Sequence, residues 1–323
     1  MRSAQAAVPD AVKERVRLLL AGRLEARVRR SEAVRGGAIV LHGVSPRAPD
    51  PDTEIDPPVQ ADRLAAAVAY LTRRYALVRA SDLPAAARAR KRRERVPIAL
   101  TFDDDLPSHR DHAAPILRNH GAVATAFLCG ARSPFWWQLL QSAVDSKAIA
   151  ADGLPHVPQQ QVAAALDRRH GAVGQLAKLV EDLAPGERDE VTAALRDAVG
   201  DAAPPPLDSR GAAELAAAGW EIGFHTRRHD VLTALEEPAL RGALEEGSRE
   251  LGVDEVCSLA YPHGKAGPRE ARAARDAGYR AAYTGQAQPF TDRTDIHLIG
   301  RLQPDTSSVG RFALQLGRAL ADP

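Results

Sequence analysis

Ile98-Ala99-Leu100-Thr101-Phe102-Asp103-Asp104-Asp105 is an apolar run that ends in three carboxylates. Strand-forming residues bounded by a polar break read as a buried strand, so the acids fall where that strand leaves the core. Neighbouring carboxylates repel each other, and only a cation, a shared proton or several donors offset the cost. The run therefore marks a core strand and a candidate site together.

A second stretch, Trp220-Glu221-Ile222-Gly223-Phe224-His225-Thr226-Arg227-Arg228-His229-Asp230, repeats the pattern with two histidines four apart. On a helical turn, positions i and i+4 share a face, so this spacing predicts two imidazoles aimed at one point. One carboxylate with two imidazoles is a common open divalent-metal site that leaves positions for water and substrate. His-x-x-x-His is weak evidence alone; joined to the acidic cluster it is specific.

Outward from these stretches, strand and helix patterns alternate. Strands are expected at residues 37–42, Ala76–Val78, 122–128, 256–261, Ala281–Tyr283 and 296–301. Helices are expected at 61–75, 112–120, 240–251, 269–278 and 311–320. Such alternation implies an α/β fold with a parallel sheet, closed or nearly closed into a barrel, and chemistry at the strands' carboxyl ends. From Ala131 to about Leu207 the alternation stops. Leu176, Leu179, Val180 and Leu183, then Val191, Leu195 and Val199, recur at helical spacing, and Pro204-Pro205-Pro206 makes a stiff exit. This reads as a helical insertion able to form a lid or wall over the site. Two readings of Trp136 and Trp137 stand side by side: stacking on a sugar, or anchoring the insertion.

Lys and Arg number 43 against 42 Asp and Glu, a net charge of +1, so no global field argues for nucleic acid. The basic run 88–95 lacks aromatic interleaving and reads as a solvated connection. An apolar fraction of 45% supports a substantial core. Cys129 and Cys257 form neither a disulfide framework nor a zinc spacing. Residues 1–10 lack a secretory leader's pattern and no run approaches membrane-spanning length, so a cytoplasmic protein is expected. Residues Asp10–Arg30 read as a basic amphipathic helix with Val12, Val16, Leu19, Leu20, Leu24 and Val28 on one stripe. Packing on the domain itself or on a second copy in a homo-oligomer is favoured over peripheral association with a membrane surface.

Thr101-Phe102-Asp103-Asp104 and His225-Thr226-x-x-His229 resemble the first two motifs of the NodB-type polysaccharide deacetylases, carbohydrate esterase family 4. Leu41-His42-Gly43-Val44-Ser45, followed by Tyr70-Leu71-Thr72-Arg73-Arg74-Tyr75, resembles the opening strand and first helix of bacterial exopolysaccharide members. The resemblance runs from about residue 36 to about residue 301. It implies a distorted (β/α) barrel over residues 36–323, an N-terminal helical extension over 1–35 and the helical insertion at about 131–207. It also implies Asp104, His225 and His229 as ligands of a divalent ion, zinc or else Ni, Co or Mn, with Asp103 as general base. The family's third motif, Arg-x-Pro-Tyr-Gly, is matched only by Pro262-His263-Gly264: Ala260 stands at the arginine position and His263 at the tyrosine position. With the arginine missing, what orients Asp103 is open.

For the general acid, the family uses a histidine near the last strand. His297 lies in that region, and His263 and His42 are rivals. Asp105 is expected to cap the next helix, order a ligand or touch substrate; His42 and Tyr261 are expected beside the substrate or behind a ligand. The implied activity is removal of an N-acyl group, acetyl above all, from an acetamido sugar or sugar-containing intermediate by attack of metal-activated water. The alternatives are a deformylase or other C–N amide hydrolase on a non-sugar small molecule, and a catalytically silent carbohydrate-binding scaffold.

Overall fold

The computed structural model describes residues 9–322. Residues 1–8, which enter the reading of a missing leader, lie outside the described residues. The chain divides into two compact units, one of residues up to Pro46, Val59–Gly130 and from Ser209 onward, the other of Arg47–Pro58 and Ala131–Asp208.

The first unit is built on an eight-stranded sheet: β1 (Val34–Leu41), β2 (Ala76–Val78), β3 (Pro97–Asp103), β4 (Thr125–Leu128), β5 (Glu221–Phe224), β6 (Ser258–Ala260), β7 (Ala281–Tyr283) and β8 (Phe290–Thr291). The order is β8-β1-β3-β4-β5-β6-β7, with β2 also on β3. All neighbours run parallel except β8 against β1. All seven residues of β3 are buried, as a parallel strand covered on both faces requires. The sheet curls into a half-barrel, the α/β class expected from the alternation of elements.

Residues 299–302 span the gap between β7 and β1. Ile299 bridges Tyr283 and Leu302 bridges Ile39, both in parallel sense. Four backbone bonds of 2.8–3.0 Å hold this seam, from Ile299 N–H to Ala282, Thr284 N–H to Ile299, Leu302 N–H to Ala38 and Val40 N–H to Leu302. The expected strand 296–301 is thus reduced to two isolated bridges. Gly300 sits between them where a Cβ would lie 2.2 Å from the Gln286 carbonyl, so the chain passes too close to its neighbour for a regular ladder with side chains.

Helices cover the sheet. α1 (Asp10–Arg30) lies against α12 (Val309–Ala321), and α2 (Ala61–Arg74) buries Leu64, Ala67, Val68 and Leu71 at helical spacing. α3 (Leu83–Ala89) follows β2, and α4 (Ala114–Asn119) follows β3 after a π-helical turn, His109–Ala113. Pro115 lacks the N–H that would bond Asp111, which loosens the ladder there. The helix expected at 240–251 is two pieces, α10 (Glu237–Glu245) and a 3-10 turn at Ser248–Leu251. Gly247, at φ 101°, separates them in a conformation that other residues rarely adopt.

In the second unit, α5 (Trp136–Ser146), α6 (Gln159–Leu166), α7 (Ala172–Glu181) and α8 (Pro185–Val199) enclose a core that includes Leu140, Val144, Val162, Leu176, Val180 and Leu195. α9 (Ser209–Ala217) and α11 (Pro268–Asp276) belong to the first unit.

Candidate metal centre

The site lies where β1, β3, β5 and β6 end. Asp103 closes β3 and Asp104 follows at φ 74°, a left-handed conformation uncommon outside glycine. The reversal turns the two adjacent carboxylates onto one cluster instead of onto opposite faces of an extended strand. His225 follows β5. Beyond it the chain makes a tight turn and not a helix, with Thr226 at φ 59°, His229 at φ 52° and the His229 N–H on the Thr226 carbonyl at 3.3 Å. The helical-face argument for the two histidines is therefore corrected: they converge by a turn, their ring centroids 4.8 Å apart.

One ligand atom from each of Asp104, His225 and His229 lies within 4.8 Å of the others. The His225 Nδ1 is 2.7 Å from the Ala260 carbonyl. A carbonyl only accepts, so Nδ1 carries the proton and neutral Nε2 presents a lone pair. That lone pair faces Asp104 at 3.8 Å and Asp103 at 3.7 Å, and His229 Nε2 faces Asp104 at 3.6 Å. The His225 lone pair turned toward carboxylates, with His229 Nε2 facing Asp104 at a similar separation too long for a hydrogen bond, suits a cation between them. Burial pushes the His225 imidazole down to about 4 against the opposing pull of Asp103, and His229 is also lowered by burial and by His225, His263 and His42. Both are uncharged near neutrality, the state that coordinates metal. The donor set fits a divalent ion of the zinc type.

Asp103 is held from elsewhere. Arg301, 2% exposed and on the barrel seam, donates from both terminal nitrogens to the two Asp103 oxygens, at 2.6 and 2.7 Å. Its remaining donors meet Thr101 Oγ1 at 3.1 Å and the Thr284 carbonyl at 3.2 Å. Burial raises the Asp103 carboxyl, but Arg301, His225 and His42 outweigh it and bring it to about 2. Sequence reading missed Arg301. Its only signal was a cation at the end of an apolar segment after the strand that lacks the family's arginine.

His42, at the exit of β1, is half-buried and acts electrostatically on Asp103, His225 and His229. His263 stands at φ 57° on the turn after β6, its ring 4.7 Å from that of His229. Asp105 is fully buried, and its Oδ1 accepts from the Cys129 N–H at 2.8 Å and the Gly130 N–H at 3.4 Å. It ties the end of β4 to the acidic turn, so neither a helix cap nor a substrate contact describes it.

Two expected participants are turned away. His297 Nε2 is 2.8 Å from the carbonyl of Tyr279, which precedes β7, so its ring points to the amino end of the barrel and is corrected as a candidate acid. The hydroxyl of Tyr261, buried, donates to the His297 carbonyl at 2.9 Å, so this residue braces the closing segment and does not meet substrate. In the second unit Trp136 packs on that unit's core, and the Trp137 ring stacks on Phe135 with centroids 4.5 Å apart. His109, which sequence reading passed over, is buried beside Phe102, and burial lowers it to about 4.

The sequence matches the polysaccharide deacetylase family over residues 90–172. No curated protein matched the sequence. Among solved structures, the deacetylase PplD of Streptococcus pyogenes, in complex with acetate, superposes with a TM-score of 0.59 at 13% identity, over 88% of this chain and 98% of that one. The polysaccharide deacetylase BC0361 of Bacillus cereus superposes with 0.54 at 14% identity, over 87% and 68%. The fold is that of the polysaccharide deacetylases. The family match over residues 90–172 agrees with that fold.

Proposed function

We propose that this protein is a metal-dependent N-deacetylase that removes the acetyl group of an acetamido sugar or a sugar-containing intermediate. The observation that carries the reading is the buried Asp103–Arg301 pair beside the Asp104, His225 and His229 cluster. It restores, from another position, the cation that Ala260 fails to supply, and so weakens the reading of a silent scaffold. A divalent ion held by Asp104, His225 and His229 would polarise the amide carbonyl and acidify the attacking water.

Asp103 accepts the proton of that water. Two charge-assisted bonds to Arg301 keep it ionised and fix the plane of its carboxylate. His263 donates to the departing nitrogen: it is half-buried and stands beside His229 on a separate turn. His42 lines the same cluster and orients the substrate or the base. Measurement of bound metal, followed by acetate and formate release from a panel of N-acylated sugars and small amides, tests the reading. Metal-free protein with full amidase activity would sink it.

A further inference from the structure

Among the described residues of the first unit, the large exposed hydrophobic side chains are Val12, Val16, Leu19 and Leu20, all on α1, with Leu19 69% exposed. At 100° per residue these four fall within about a third of the helix circumference. Arg23, Arg27 and Arg30, all exposed, continue the same face toward the C-terminus. The outward face of α1 is thus apolar over its first half and cationic over its second. Helix acids avoid it. Glu14 turns to α12, accepting from Ser308 Oγ and the Gly310 N–H, and Glu25 is buried with Arg74.

The basic run after α3 is fixed against this cationic end. Arg90 donates to the carbonyls of Arg29, Ser31 and Val34, Arg92 Nε to that of Arg30, and the Arg93 N–H to that of Arg29. Lys91, Arg92, Arg93 and Arg95 are exposed beside it. Carbonyls at a helix C-terminus attract cations, so the run is anchored there; Arg95 also donates to the Thr72 carbonyl, and exposed Glu94 is the one acid among these cations.

We propose that this face of α1 docks on an anionic lipid surface. Apolar side chains that enter the boundary between headgroups and acyl chains, beside arginines that meet lipid phosphates, match both halves of the face. A nucleic acid has use for the arginines but none for exposed Leu19 and Leu20. A second copy paired antiparallel about a two-fold axis would set these arginines against valines.

The test is co-sedimentation of the full chain with vesicles of phosphatidylcholine alone or mixed equally with phosphatidylglycerol. Binding is expected to the anionic vesicles only and to weaken with salt. Leu19→Glu with Val16→Asp is expected to abolish it, and Arg23→Glu with Arg27→Glu to weaken it about fivefold or more for each arginine. All four positions are exposed and outside the metal centre, so turnover of a soluble substrate stays unchanged and reports the fold. Wild-type protein that ignores anionic vesicles, or binding that survives Leu19→Glu with Val16→Asp, overturns the proposal. So does a concentration-dependent dimer that the same double variant dissolves.

Discussion

Arg301 grips both oxygens of Asp103 across the interior of the barrel, from a segment 198 positions further along the chain. Neither residue is exposed enough for water to replace the other. Removing one partner of such a pair leaves an uncompensated buried charge, which costs roughly 3–5 kcal/mol.

Arg301→Met should therefore lower stability by about that amount and raise the Asp103 carboxyl, because burial then acts unopposed. The acid limb of the activity profile should move to higher pH. An unshifted limb in folded variant protein would separate Arg301 from the base. Arg301→Lys keeps the charge but not the two-pronged geometry, and should recover stability better than kcat.

Asp103→Asn should abolish turnover while bound metal stays near wild-type levels, read by elemental analysis alongside acetate release. Equal loss of both would make Asp103 a ligand. His263→Gln should spare metal and depress kcat, by roughly 100-fold or more for loss of a proton donor.

His225→Ala or His229→Ala should each deplete bound metal, and a strong chelator should reproduce that loss in the wild type. Reconstitution with zinc, cobalt, nickel or manganese ranks the ions.

Metal-free protein should lose stability as pH falls from about 6.5 toward 4. Burial lowers His109 and His225 to about 4 in the folded state from an ordinary 6.5. Over that window the unfolded chain binds more protons, so the folded state is penalised as acid is added and its stability is full above it. Thermal melts of metal-free protein at successive pH values test this, and His109→Gln should flatten the slope. Asp103 adds a further loss at lower pH, since its carboxyl, held near 2 when folded, gives stability that is present above about 4 and disappears as pH drops through 2.

Gly300→Ala should push residues 299–302 away from Gln286 and carry Arg301 with them. The expected cost is about 1–3 kcal/mol, with kcat falling more than that loss of folded protein explains.

The parallel strands and the Asp104, His225 and His229 cluster were legible because they sit in short apolar runs that end abruptly in chemistry-bearing residues. Arg301 was not, because its partner is distant in sequence and its own segment makes only two bridges, too few to impose a strand pattern. His297 misled for a related reason. Its position in the sequence suits an acid, but the direction of its ring is set by a carbonyl of Tyr279 that no local pattern reveals. The turn through Thr226 and His229 likewise escaped, since residues other than glycine seldom announce a left-handed backbone.

The short seam of residues 299–302 joins the first strand of the half-barrel to its last parallel one and also carries the guanidinium that grips Asp103, the proposed base. Structural completeness and chemical competence are thus one condition. If the seam parts while every helix is still wound, the proposed activity is already lost, so amide hydrolysis should fall silent on heating before the circular dichroism changes.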